Sequence, residues 1–157
     1  MAVAAWILYD QAGLYLVDGT IDLPTTAVNI HLFNSSTNAA TVTLSTLTEL
    51  TNELGSLNGY TLSGKALTDT WASGASAAEQ RYDATAVIWT ASGGNLGSNT
   101  AIKVAVMVAT SGASAKTSTN KLIAYSVLST SGFAVADGNT LTLTPNAAAG
   151  LFELNKV

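Results

Sequence analysis

The sequence predicts an all-β fold: an antiparallel β-sandwich or jelly-roll-like barrel of about nine strands with one short helix near residues 47–54. Three observations predict it. Apolar residues alternate with Thr, Ser or Ala in short runs, as in Thr41-Val42-Thr43-Leu44-Ser45 and Thr140-Leu141-Thr142-Leu143-Thr144. Period-two alternation marks a strand with one buried face. These runs are separated by clusters of Gly, Asn, Asp and Ser, the residues of tight turns. Only one stretch combines helical spacing of apolar residues with a cap at each end.

The elements follow in order. Residues 3–9 read as a first strand or as an extended arm, and Asp10-Gln11-Ala12-Gly13 as a turn. Leu14 to Val17 reads as a short strand closed by Asp18-Gly19, a hairpin dipeptide. Pro24 marks residues 21–24 as an edge or strand exit, because it lacks a ladder donor. Ala27 to Asn34 is a strand with Val28, Ile30 and Leu32 on one face and Asn29, His31 and Phe33 on the other. Asn34 to Asn38 is a turn cluster, and Thr41 to Ser45 the next strand.

Thr46-Leu47-Thr48-Glu49 matches a capping box, Leu47, Leu50 and Leu54 recur at helical spacing, and Gly55 stands where a C-cap glycine would. This predicts the helix. Tyr60 to Trp71 is a strand, or a pair of strands interrupted at Gly64, and Ala72 to Gln80 a small polar loop. Tyr82 to Ala91 is a strand, and residues 92–99 a Gly- and Asn-rich loop. Ala101 to Ala109 is the most hydrophobic strand, and its second face (Lys103, Ala105, Met107) is apolar enough to be partly covered. Residues 110–120 form a Ser/Thr/Ala/Gly loop, and Leu122 to Ser129 is a strand. Phe133 to Ala136 and Thr140 to Thr144 read as a hairpin around Asp137-Gly138-Asn139, and Leu151 to Leu154 as the closing strand. The 157 residues read as a single β domain, residues 1–157, with no internal repeat or linker.

Composition narrows the function classes. Apolar residues make up 48% of the chain and charged residues only 10%, against a usual charged share of about 25%. Ser and Thr supply roughly a quarter of the chain. A nearly uncharged pleated exterior suits a surface that meets other protein. The net charge is −4, and the six basic residues are scattered, which disfavours nucleic-acid binding. With no cysteine, disulfides and thiolate metal sites are excluded. No stretch reaches the ~18 uncharged apolar residues of a membrane helix, and no basic region precedes the apolar start. The chain therefore reads as soluble, made in a cytoplasm, with no membrane partner.

No constellation carries chemistry. The single histidine, His31, lies in mid-strand and reads as a half-buried or surface imidazole, without the orienting partner a general base needs. Asp10, Asp18 and Asp22 read as solvated turn carboxylates, too few for a calcium loop. The Ser92–Gly97 loop is glycine-rich but precedes no helix, so it is no phosphate cradle. The tryptophans and tyrosines suit a core or a subunit contact better than a sugar-binding platform. The expectation is no enzyme, no cofactor and no metal.

Two segments carry a likeness. Asn58-Gly59-Tyr60-Thr61-Leu62-Ser63-Gly64-Lys65-Ala66-Leu67 resembles a G-Y-T-x-G-G-x-x-L block, and Tyr82 to Gly94 resembles a Y-D-A-x-D-V-x-W-x-A-S-G-G block. Ser63 stands where the pattern has Gly, and Ala86 where it has Asp. Both blocks, in this order, resemble small virion structural proteins of tailed bacteriophages. The resemblance implies a non-enzymatic head protein, in first place a capsid decoration or cement protein. Such a protein sits on the outer shell, with the major capsid protein and copies of itself, often as a trimer, for partners. It also implies a virion location after synthesis in a bacterial host cytoplasm. A neck, tail or fibre component is the alternative within that class, and a carbohydrate-binding module the alternative outside it. The candidate contacts are Trp6, Ile7, Leu8 and Tyr9 of the apolar N-terminal segment, with the loops 72–80, 92–100 and 110–120.

Overall fold

The computed structural model describes residues 5–23, 26–73, 79–97, 101–110, 120–144 and 151–155. These residues form an all-β fold with sandwich-like layering, built of antiparallel sheets of five, three and two strands. Their strands are β1 (Ile7–Leu8), β2 (Ala27–Asn34), β3 (Lys65–Ala66), β4 (Asp69–Ser73), β5 (Glu79–Ala84), β6 (Val87–Thr90), β7 (Ile102–Thr110), β8 (Lys121–Val127), β9 (Thr140–Leu143) and β10 (Phe152–Asn155). The five-stranded sheet runs β1-β8-β7-β2-β3, and the smaller ones β10-β5-β4 and β6-β9.

The five-stranded sheet is buried on both faces, which is why β7 reads as an almost unbroken apolar run. One face (Ile30, Leu32, Ala105, Met107, Ile123) packs on Tyr82 of β5, Trp89 of β6 and Leu141 and Leu143 of β9. The opposite face (Phe33, Val104, Val106, Val108, Leu122) packs on Tyr9, Ala39, Leu47 and Leu50. Two bulges adjust which side chains face which layer. Met107 pairs with Ala124 and Val108 with Leu122, so Ile123 is the extra residue. Ile123 and Ala124, consecutive in the chain, accordingly both reach the first face.

Several expectations need correction. Leu14 to Val17 is not a strand: it belongs to the helix α1 (Ala12–Val17). A short apolar run carries no period that separates helix from strand. Asp18-Gly19 ends this helix instead of turning a hairpin; Asp18 N–H donates to the Leu14 carbonyl, and Gly19 takes φ 77°.

The helix expected over 47–54 is a single 3₁₀ turn, Leu47–Glu49. Its capping box forms as predicted, but Leu50 is extended (φ −78°, ψ 140°). The chain leaves the turn because residues 52–54 join the end of β2: Asn34 N–H donates to the Asn52 carbonyl and Leu54 N–H to the Leu32 carbonyl. The leucine spacing misled because Leu47 and Leu50 serve one core and Leu54 the other.

Thr41 to Ser45 keeps alternating burial, with Val42 and Leu44 packed inward, but makes turns and no ladder. Tyr82 to Ala91 is two strands in different sheets. Residues 60–64 make turns and no strand, so the strands of the Tyr60–Trp71 stretch, β3 and β4, both follow Gly64. The Asp137-Gly138-Asn139 turn forms, but its arms part. β9 pairs with β6, while Phe133 bridges Ile102 and Val135 bridges Leu96. Of the expected loops, residues 74–78, 98–100 and 111–119 lie outside the described residues, and β4 and β5 take residues 72–73 and 79–80 from the first.

Candidate functional site

The four N-terminal candidates differ in burial. β1 pairs with β8, Ile7 against Tyr125 and Leu8 against Ala124, so this segment is the edge strand of the main sheet. Tyr9 is buried, its hydroxyl donates to the Ala39 carbonyl, and its ring lies 5.3 Å from that of Tyr125. Burial, and then the neighbouring Tyr125, push its phenol far above the ordinary range. Trp6 is half-buried and packs against the first core. Ile7 and Leu8 stay exposed, at 45% and 40%.

The helix adds to them. Leu14 and Val17, one turn apart on α1, are 56% and 87% exposed. Four of the seven large apolar side chains exposed among the described residues thus fall between residues 7 and 17. The other three, Leu57, Leu62 and Ile88, lie on the 57–65 segment and on β6. There the 57–65 segment runs beside β6, with Lys65 Nζ on the Ile88 carbonyl and Ser92 N–H on the Asn58 carbonyl. The outward side of the β6-β9 ribbon adjoining it carries Ile88, Thr90, Thr140 and Thr142, without a charge.

Sequence reasoning named Ile7 and Leu8, which are exposed, but not the equally exposed Leu14 and Val17, because a strand reading of 14–17 buries every second residue. It also missed a buried polar cluster. His31 is 1% exposed, neither surface nor half-buried. Its Nδ1 stands 2.7 Å from Glu53 Oε1, and the Glu53 side chain is itself 6% exposed. Tyr60 donates its hydroxyl to the same oxygen at 2.7 Å and accepts the Leu32 N–H at 3.1 Å. Burial, and then the charge of Glu53, push the Tyr60 phenol well above its ordinary range, so it stays a protonated donor. His31 Nε2 is buried without a hydrogen-bond partner. Gly64 covers it: a Cβ there would lie 2.9 Å from Nε2 and 2.7 Å from the Ile30 carbonyl oxygen, and φ is 66°. No spacing in the sequence foretells this cluster, since its members meet only where residues 52–64 wrap the edge of β2.

The cluster has an orienting carboxylate but no access for a substrate. A small apolar cavity elsewhere, about 10 Å³ and lined by Trp6, Ile30, Leu67, Thr85, Val87, Leu143 and Leu151, has room for about one water. Among the described residues no three His, Asp or Glu side chains gather as a metal site. No helix among them is long and apolar enough to cross a membrane. Tyr9, Tyr60, Tyr82, Trp89 and Tyr125 are buried, and Trp6 and Tyr15 half-buried.

Compared with known proteins, the chain matches no family model, no curated protein and no solved structure.

Proposed function

We propose that this chain is a non-enzymatic structural protein of a tailed-phage virion, a capsid decoration or cement protein. It binds the outer shell through the major capsid protein, assembles with copies of itself as a trimer, and stabilises the head. The observation that carries the reading is the exposed apolar segment of β1 and α1: Ile7, Leu8, Leu14 and Val17. Four exposed large apolar side chains within one short stretch of chain support an interaction surface there. The uncharged outer side of β6-β9 supports it too, because an uncharged surface loses little on desolvation, whereas a buried unpaired charge costs several kcal/mol. The resemblance of residues 58–67 and 82–94 to small phage virion proteins supplies the kind of partner. Binding to an assembled shell would add to its stability by mass action, with no chemical step.

The test is rebinding to heads stripped of this protein, comparing the parent with an Ile7→Ser/Leu8→Ser double variant by co-sedimentation. Both side chains are exposed, so folding should change little. The variant should lose about tenfold or more in affinity, as expected when two apolar anchors of an interface are removed. Unchanged rebinding, or no rebinding by the parent, counts against the proposal.

A further inference from the structure

We propose that copies of this chain bind head to tail: α1 of one copy, with Leu14, Val17 and Asp18, docks on the 57–65 segment and β6 of the next, at Leu57, Leu62, Ile88 and Lys65. This contact is the one behind the self-assembly proposed above, and it rests on that reading.

Leu14 and Val17 stand three residues apart, on one face of α1, and both are exposed. The other side holds the helix to the protein: Ala12, Tyr15 and Leu16 pack on the two cores, and Lys121 Nζ lies 5.1 Å from the centre of the Tyr15 ring. The receiving surface is built where residues 58–67 and 82–94 meet. Ser92 N–H donates to the Asn58 carbonyl, and Lys65 Nζ to the Ile88 carbonyl. Gly59, at φ 91°, lies so close to the Thr90 carbonyl that no Cβ fits between them. Leu62 N–H donates to Ser56 Oγ and Tyr60 N–H to the Leu57 carbonyl, so Leu57 and Leu62 flank one folded turn. A surface held in place before its partner arrives loses less freedom on docking.

Charge chooses the occupant. Residues 5–23 carry three carboxylates, Asp10, Asp18 and Asp22, all exposed, and no Lys or Arg. Residues 56–66 and β6 carry one charged side chain, the exposed Lys65. Asp137, whose N–H donates to Asn95 Oδ1, is a carboxylate at the Asn58 end, where Asn58 Nδ2 donates to the Asn95 carbonyl. An acidic apolar surface and a basic apolar one complement each other. Either surface against itself would set like charges face to face, Asp18 to Asp18 or Lys65 to Lys65. A contact between two different surfaces leaves one of each open at the ends, so copies add in one direction until the ring closes. Ile7 and Leu8 are left for the shell.

The experiment is sedimentation velocity of the free protein at about 50 μM, with two double variants, Leu14→Glu/Val17→Glu and Leu62→Glu/Ile88→Glu. The parent should sediment as the trimer proposed above. Each variant alone should be monomeric with the parent's circular dichroism. Their equimolar mixture should form a 1:1 pair, because each chain keeps the surface that the other has lost. The chain has no cysteine, so single Val17→Cys and Leu62→Cys chains give a second reading that does not depend on the glutamate variants folding. Mixed and treated with a short bis-maleimide, the two chains should link to each other about tenfold more than either links to itself. A monomeric parent, a variant that assembles like the parent, a mixture that stays monomeric, or self-linking as fast as mixed linking would each overturn the proposal. A monomeric parent that still rebinds stripped heads would sink this contact and leave shell docking standing; a trimer that binds no head would do the reverse.

Discussion

Glu49 shows how much one side chain does where the backbone has no ladder. Its Oε2 accepts from the backbone N–H groups of Ser45 and Thr46 and from both of their hydroxyls. Those donors, the Ser45 backbone first, hold its carboxyl down from 4.5 to about 2. A lowered folded value means that the stabilisation is complete above about pH 4.5 and drains away as the pH falls toward 2. The group is exposed to water, so the effect is modest. A Glu49→Gln variant should be less stable than the parent by about 1 kcal/mol at neutral pH in urea unfolding, the size of a lost cap. The gap should close below pH 4.5. A gap that persists to pH 2 would show that the loss comes from packing and not from the ionised cap. Glu49 was legible in the sequence because the capping box is local, with the carboxylate three residues after the hydroxyl. Glu53, four residues on, was not, because its partners His31 and Tyr60 are brought to it by the fold of the chain around β2.

At the scale of elements, what could be read from sequence depended on whether both halves of a pattern stayed together. β2 was predicted residue for residue at Ala27–Asn34, because its alternation matches a real division between two cores. The β9 alternation was equally faithful: Leu141 and Leu143 are buried and Thr140 is exposed. The DG turn was visible too, but not that β9 turns to β6, since strand partners are long-range choices. At the N-terminus the sequence left arm and strand open. The structure makes residues 7–9 an edge: Tyr9 N–H bonds the Ile123 carbonyl, and the Tyr9 ring sits in the second core. Deleting residues 1–9 should therefore cost about 3 kcal/mol or more by chemical denaturation, as for removal of a large buried aromatic. A deletion variant with parental stability would show that the segment is an arm after all.

On the whole molecule, the surface is where composition and structure meet. Only 10% of residues are charged, and among the described residues the large exposed apolar side chains fall on β1, α1, the 57–62 segment and β6. The sheet edge at β1 is short and bears no charge at Ile7 or Leu8, a hazard for a free monomer because nothing repels a second strand. Covering such an edge with a neighbour in a symmetric assembly removes the hazard. Sequence could convey the low charge, which is a sum over residues, but not the exposure of both Leu14 and Val17, which depends on α1 being a helix.

The most direct test of the proposed docking is a single-particle reconstruction of intact virions from the phage that, on this proposal, encodes the chain. The account predicts the protein at symmetry-related sites over every facet of the outer shell, with Ile7, Leu8, Leu14 and Val17 of each copy covered by a neighbouring subunit. A protein confined to the neck or tail, missing from the particle, or bound with β1 and α1 facing solvent would contradict it.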